Sequence, residues 1–336
     1  MTGREERKTK IENKINKTLE GRSHIYADYV ASCFSEGQQS TSVKLYLETV
    51  LSFMKRTNNE CTEESVKKIR PMDITNYLNE IRTKKLKDGT IVPTSTSYRA
   101  TTFSALRSFF DFLKTNKMID DNPMSNIKRP KVTDQKPDQH LTIEEMKTVL
   151  GMVKEGCADT QKSKTHERHL KTRNEAIMKM LLELGIRCSA LMCLDVDNVD
   201  LENKKIVYKD KGEKVFEKPL SNELIQSLKV WLSDRSKMEP KTSALFVSEK
   251  KNRCSYSAIL QVVKRYTKAA TGNAMSVHKM RHSAITAVHE LNGGDIMHTS
   301  KFAGHGNVVI TQRYIHEDYS GKDVEISGAL GAIMAS

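Results

Sequence analysis

The chain has 336 residues, a mass of 38.1 kDa, a formal net charge of +13 and a pI near 9.3, with both signs scattered through both halves. That length suits two domains of the usual size of about 100–200 residues, and the basic balance favours an extended polyanion, nucleic acid ahead of a membrane surface. No run of about 18 apolar residues is present and the first residues, MTGREERKTKIENK, are charged, which argues against a membrane span or signal peptide and for a cytoplasmic protein. Six cysteines without a CxxC pair fit reduced thiols, with neither disulfides nor structural zinc expected.

In chain order, residues 1–20 form a charged N-terminal extension. Ile11, Ile15 and Leu19 recur every four residues, as in one packed helix, although a solvated extension fits the charge equally well. Residues 21–126 read as a compact bundle of four or five helices. Three apolar stripes carry it: Val43, Leu47, Val50, Leu51 and Met54; Ile74, Tyr77, Leu78 and Ile81; and Phe103, Leu106, Phe109, Phe110 and Leu113. Between the last two, KKLKDGTIVPTST holds Gly89 and Pro93 and reads as a loop. The segment 127–140, IKRPKVTDQKPDQH, is rich in proline and charge and reads as an interdomain linker.

The second domain, 141–336, opens with Thr142 and Glu145 at capping-box spacing ahead of Met146, Val149 and Leu150. NEAIMKMLLEL predicts an apolar helix over 174–184, ended by Gly185. LDVDNVDL, KKIVYK and KVFEKPL then read as strands of a small antiparallel sheet. Helices are expected over 222–231, 257–270, 279–290, 295–303 and 308–314. HERH at 166–169 lacks the HExxH spacing of a zinc protease and reads as a surface loop, and the acidic cluster at 195–200 shows no magnesium-binding pattern. The fold class is therefore mainly α with a small antiparallel β-sheet.

Six residues on four short stretches carry reactive chemistry: Arg187 in LGIRCSAL, Lys211 in YKDKGEKVFEKPL, His278 and Arg281 in VHKMRHS, and His305 and Tyr314 in AGHGNVVITQRYIH. Two guanidiniums can clamp a phosphodiester, a lysine and histidines can move protons, and a phenol can attack phosphorus. His278 and Arg281, three apart on a helix, would lie on one face with about 5–6 Å between Cβ atoms. His282 points away from that face and reads as structural or as a contact to a DNA backbone. Each feature alone has a plainer reading, as a solvated arginine, a turn lysine or a polar helix face. Tyr319 is a rival nucleophile without the TQR context, and His316 reads as structural.

Taken together, GIRCSAL, the hairpin lysine, HKMR, the AGH turn and TQRYIH resemble the tyrosine recombinase or phage-integrase family, over the whole chain after about residue 21. The resemblance implies a SAM-like helical core-binding domain followed by a mixed α/β catalytic domain. It implies that Tyr314 is the nucleophile and forms a 3′-phosphotyrosyl bond, that Arg187 and Arg281 hold the non-bridging oxygens, that Lys211 protonates the leaving 5′-oxygen, that His278 assists proton transfer and that His305 bonds a phosphate oxygen. No cofactor, metal ion or ATP is implied. Two positions depart from the family pattern: Ala190 stands where an acid usually follows the first arginine by three residues, which puts the support of Arg187 or His278 in question, and Ala303 stands where leucine is common.

The implied partner is double-stranded DNA with paired core sites, contacted by helices of both domains including 97–115 and 255–270. The apolar tail with Val324, Ile326, Leu330, Ile333 and Met334 suits exchange in trans within a homotetramer, against docking in cis on its own domain. Room remains for an accessory directionality or DNA-bending protein. Integration and excision of a mobile element is the expected role. A chromosome-dimer resolvase, a type IB topoisomerase-like strand transferase and an inactive DNA-binding protein of the same fold are the alternatives.

Overall fold

The computed structural model describes residues 2–86, 88–133, 139–157, 161–210 and 214–304. The expected helix over 308–314 and the apolar tail lie outside the described residues. Two compact units divide between Pro137 and Asp138. Among the described residues no helix is long and apolar enough to cross a membrane.

The first unit holds α1 (Gly3–Leu19), α2 (His24–Ser35), α3 (Ser40–Arg56), α4 (Glu63–Lys67), α5 (Pro71–Glu80) and α6 (Thr96–Thr115). Ser23 and Ser95 start α2 and α6 by accepting from Ile25 N–H and Tyr98 N–H, which satisfies amide groups that a helix start leaves open. The stripes on α3, α5 and α6 converge on an aromatic core. Tyr29 and Phe109 meet edge to face at 5.1 Å, and Phe53 does the same with Tyr77 at 5.3 Å. In α1, Ile15 is buried, with Ile11 and Leu19 packed against the same core, so the four-residue spacing marks a helix that adds to the bundle.

The segment expected as a loop is instead a hairpin of β1 (Thr83–Lys85) and β2 (Ile91–Pro93), paired antiparallel with Lys84 opposite Val92. Gly89, at φ +89°, supplies the turn, and Leu86 N–H donates to Thr90 O at 2.8 Å to close it. Polar side chains on exposed strands hid the alternation that marks a buried strand.

The second unit begins with α7 (Ile143–Glu155), where Thr142 Oγ1 accepts from Glu145 N–H and the Glu145 carboxylate accepts from Thr142 N–H, as the sequence spacing predicts. Next come α8 (Gln161–Leu184) and α9 (Cys188–Cys193). HERH falls inside α8 and is not a loop, because the charged run continues the apolar helix toward its N-terminus. A meander of β3 (Val199–Asp200), β4 (Lys205–Lys209) and β5 (Val215–Pro219) follows, in the order β3-β4-β5, with Tyr208 opposite Phe216 and Ile206 opposite Lys218. Most of LDVDNVDL is not strand: a 3₁₀ turn at Val196–Asn198 forms where Asn198 Oδ1 accepts from Asp195 N–H at 2.8 Å, leaving two residues for β3. The unit continues with α10 (Asn222–Lys237), α11 (Tyr256–Thr271), α12 (Val277–Leu291) and α13 (Ile296–Ala303), capped by Ser221, Ser255, Ser276 and Asp295. Its core gathers Leu181, Ile206, Leu228, Trp231, Phe246 and Tyr266, and Trp231 Nε1 donates to Leu245 O at 2.8 Å.

Phe109 is fully buried between Tyr29 and Phe110, so Phe109→Ala removes a ring that no neighbour can replace. Urea unfolding followed by circular dichroism is expected to show a loss of about 3–5 kcal/mol.

Candidate active site

Two helices of the second unit end in left-handed glycines, and a pair of buried cations reads those ends. Gly185, at φ +55°, follows α8, and Gly304, at φ +63°, caps α13. Helix C-termini present carbonyls without intrahelical donors and the negative end of the helix dipole, so cations suit them. Arg281, on the second turn of α12, donates from Nη1 to Gly185 O at 2.5 Å and from Nη2 to Ala303 O. Lys218, on β5, donates from Nζ to Leu184 O at 2.5 Å and to Phe302 O at 2.8 Å, and its ammonium lies 3.7 Å from the centroid of the Phe302 ring. The two side chains tie the same two helix ends together, one carbonyl apart on each.

Both glycines are also required by packing. A Cβ at Gly304 would fall 2.3 Å from the Phe216 ring, and one at Gly185 would fall 3.0 Å from the ring of Phe302. The start of α13 is fixed separately. Asp295 accepts from the amides of Met297 and His298 at 2.9 Å each, and His289 Nδ1 lies 3.1 Å from Thr299 Oγ1, joining α12 to α13.

Arg187 follows Gly185 by two residues and opens α9, half-buried, with Nη1 donating to the carboxylate of buried Asp210. Asp210 ends the β4 side of the hairpin, where its N–H donates to Lys214 O at 2.9 Å. His278 lies one turn before Arg281 on α12. Although the residue is exposed overall, partial desolvation, then the charges of Arg281 and of Arg187, hold its imidazole below the ordinary value of 6.5. The ring is therefore neutral at pH 7 and able to accept a proton. Tyr208, next to this cluster, is pushed up to about 12 by burial and then by Asp210, and stays a neutral phenol.

Of the six residues expected from the sequence, Arg187, His278 and Arg281 come together here. Lys211, His305 and Tyr314 lie outside the described residues; Lys211 follows Asp210 directly and His305 follows Gly304. His282 is buried, its ring 5.7 Å from that of His140, which makes it structural. The acidic cluster is also structural: Asp195 pairs with Arg253 at 2.6 Å, and Asp200 accepts from Asn203 N–H at 2.9 Å.

Two residues of the cluster are additional to those expected, Lys218 and Asp210. Lys218 sits in phase with Phe216 on a strand with a buried face, so alternation alone points it inward. Asp210 had no such signal, because a carboxylate beside a hairpin tip looks like any turn residue.

Comparison with known proteins agrees with this architecture. The model of the phage integrase family matches residues 141–320, and that of the phage integrase N-terminal SAM-like domain matches residues 24–117. The chain belongs to the phage integrase family. Among curated relatives it is 32% identical over 226 residues to the tyrosine recombinase XerC of Caldanaerobacter subterraneus subsp. tengcongensis, covering 66% of this chain and 60% of that protein. It is 29% identical over 220 residues to XerC of Escherichia coli O127:H6, covering 64% of this chain and 68% of the relative. The XerH site-specific recombinase bound to difH substrate, in a pre-cleavage complex, has the same fold at a TM-score of 0.63 and 20% identity, over 87% of this chain and 80% of that one. The Tn1549 transposon integrase in complex with circular intermediate DNA matches at 0.62 and 17%, over 90% and 98%.

Burial, with the charges of Arg281 and Arg187 and against the opposing charge of Asp210, pushes the Lys218 ammonium down to about 7. A neutral amine keeps two N–H groups, enough for both carbonyls. Between about pH 7 and the ordinary lysine value of 10.5 the unfolded chain holds a proton that the folded one releases, so this residue's contribution to stability rises with pH across that window and is flat below it. Thermal melts of wild type and Lys218→Met from pH 6 to pH 10 are expected to show the wild-type advantage growing above pH 7.

Proposed function

We propose that this chain is a site-specific DNA recombinase that cleaves and rejoins strands through a 3′-phosphotyrosine at Tyr314. The observation that carries the reading is the assembly of Arg187, Arg281 and His278 around Asp210, which Lys211 follows in the sequence, and around the end of α13, which His305 follows in the sequence. Two guanidiniums fixed in one cluster form a preorganised site for a phosphodiester, whose charge grows on the non-bridging oxygens in the transition state. Arg281 is anchored at Gly185 O and Ala303 O, and among the described residues Arg187 gives one of its five N–H groups to Asp210, which leaves donors on Arg187 for those oxygens.

In the proposed reaction the Tyr314 phenol oxygen attacks phosphorus and His278 accepts the phenolic proton. The bond to the 5′-oxygen breaks, and Lys211 protonates that oxygen to a free 5′-hydroxyl. His305 bonds a phosphate oxygen. The phosphotyrosine retains the energy of the phosphodiester, so a 5′-hydroxyl from a second duplex reverses the step and seals the exchange without ATP, a cofactor or a metal ion.

DNA would be gripped by both units. The outward face of α11 carries exposed Gln261, Lys264 and Lys268, spaced to follow a phosphate backbone, and α6 presents Tyr98 and Arg107. We place the 1–20, 21–126, 127–140 and 141–336 segments as extension, core-binding domain, linker and catalytic domain with its exchange tail. The protein would act as a homotetramer on two duplexes in the cytoplasm, with an accessory bending or directionality protein as an optional partner. Integration and excision of a mobile element is the role we favour. Resolution of chromosome dimers is the alternative, and inverted repeats in the DNA flanking the gene would mark a core site and decide between them.

Nicked labelled duplexes tiled across that flanking DNA provide the direct test. Wild type is expected to form a covalent adduct stable on a denaturing gel, and Tyr314→Phe to bind the same duplex without forming it. An adduct of undiminished yield in Tyr314→Phe would move the nucleophile elsewhere, with Tyr319 next in line. Truncation after residue 322 is expected to leave binding to one site intact and abolish the paired-site complex in native gels; unchanged pairing would defeat exchange of the tail in trans.

A further inference from the structure

Arg187 has a long, partly exposed side chain, and among the described residues its guanidinium has one hydrogen-bonding partner, the carboxylate of Asp210. That carboxylate is almost wholly buried, with 3% of its side chain exposed against 29% for Arg187. A charge buried so far is tolerated only when paired, and breaking one half of such a pair leaves the other uncompensated. Three cations converge on the same pocket, Arg187, Arg281 and Lys218, and two of them are held by carbonyls. Arg187 is held by a side chain.

Nothing on its own helix can substitute. Position 190 backs directly onto Arg187, with Ala190 N–H donating to Arg187 O at 2.9 Å, but it is a buried alanine with no polar group to offer. Asp210 comes from another element, and its backbone N–H closes the stem of the hairpin whose next residue is Lys211.

We propose that Asp210 is a positioning residue for Arg187, supplying from the hairpin stem the carboxylate that position 190 lacks. It aims the guanidinium at the scissile phosphate. The assignment rests on the strand-transfer reading above.

The test uses the full-length protein and the nicked flanking duplex on which wild type forms its adduct. Asp210→Asn keeps the shape and removes the charge. It is expected to slow adduct formation on the order of 100-fold, the scale of a small misplacement of a reacting group, while DNA affinity and melting temperature stay near wild type. Asp210→Glu should recover part of the rate.

The discriminating substrate carries a methylphosphonate at the scissile position, which removes the negative charge Arg187 would meet. On it the deficit of Asp210→Asn should shrink towards parity. In the Arg187→Lys background, Asp210→Asn should add little further loss. An undiminished rate on the natural phosphate overturns the proposal. So does a deficit of equal size on both substrates, which would mark a merely structural role. Absence of any adduct with wild type would instead sink the strand-transfer reading, and this assignment with it.

Discussion

The site depends on how two helix ends are held together. α8 and α13 both stop in left-handed glycines, and their last carbonyls would face one another as two sets of unsatisfied acceptors and two negative dipole ends. Arg281 and Lys218 resolve that by donating to both ends at once. Arg187 leaves the chain just after one of these ends and His305 just after the other. The clamp thus fixes the two points at which the chain leaves these helices, and its cations contribute to the positive potential of the cluster.

The same frame explains the charge states around it. Burial and mutual repulsion lower the proton affinity of Lys218 and His278, whereas Tyr208, also buried, is driven the other way, towards its neutral form. A single buried carboxylate, Asp210, sits among the cations. The pocket therefore keeps a net positive character without every group in it being charged, which limits the desolvation penalty of building it.

Local signals in the sequence carried far. The reciprocal cap at Thr142 and Glu145 and the apolar stripes of α3, α5 and α6 were legible because each depends on residues within a turn or two of one another. HKMR was legible for the same reason, as a helix start with His278 and Arg281 three residues apart on one face. The roles of Lys218 and Asp210 were not, because their partners lie far off in the chain: Lys218 reaches carbonyls 34 and 84 residues away and Asp210 an arginine 23 residues away. The β1–β2 hairpin was missed because its exposed strands bury too little to impose alternation, and the 3₁₀ turn at Val196–Asn198 because its acidic residues bond locally rather than to a neighbouring strand.

The pairing of β4 with β5 sets a limit on how this protein can change. Phe216 and Lys218 share the inward face of β5, one against Gly304 and the other at the two helix ends, while Val215 and Glu217 face outward. A single-residue insertion or deletion within β5 would reverse that, placing Glu217 towards the helix carbonyls and turning Lys218 to solvent. Length variation is therefore excluded from the stem, where each residue gained or lost would exchange its two faces.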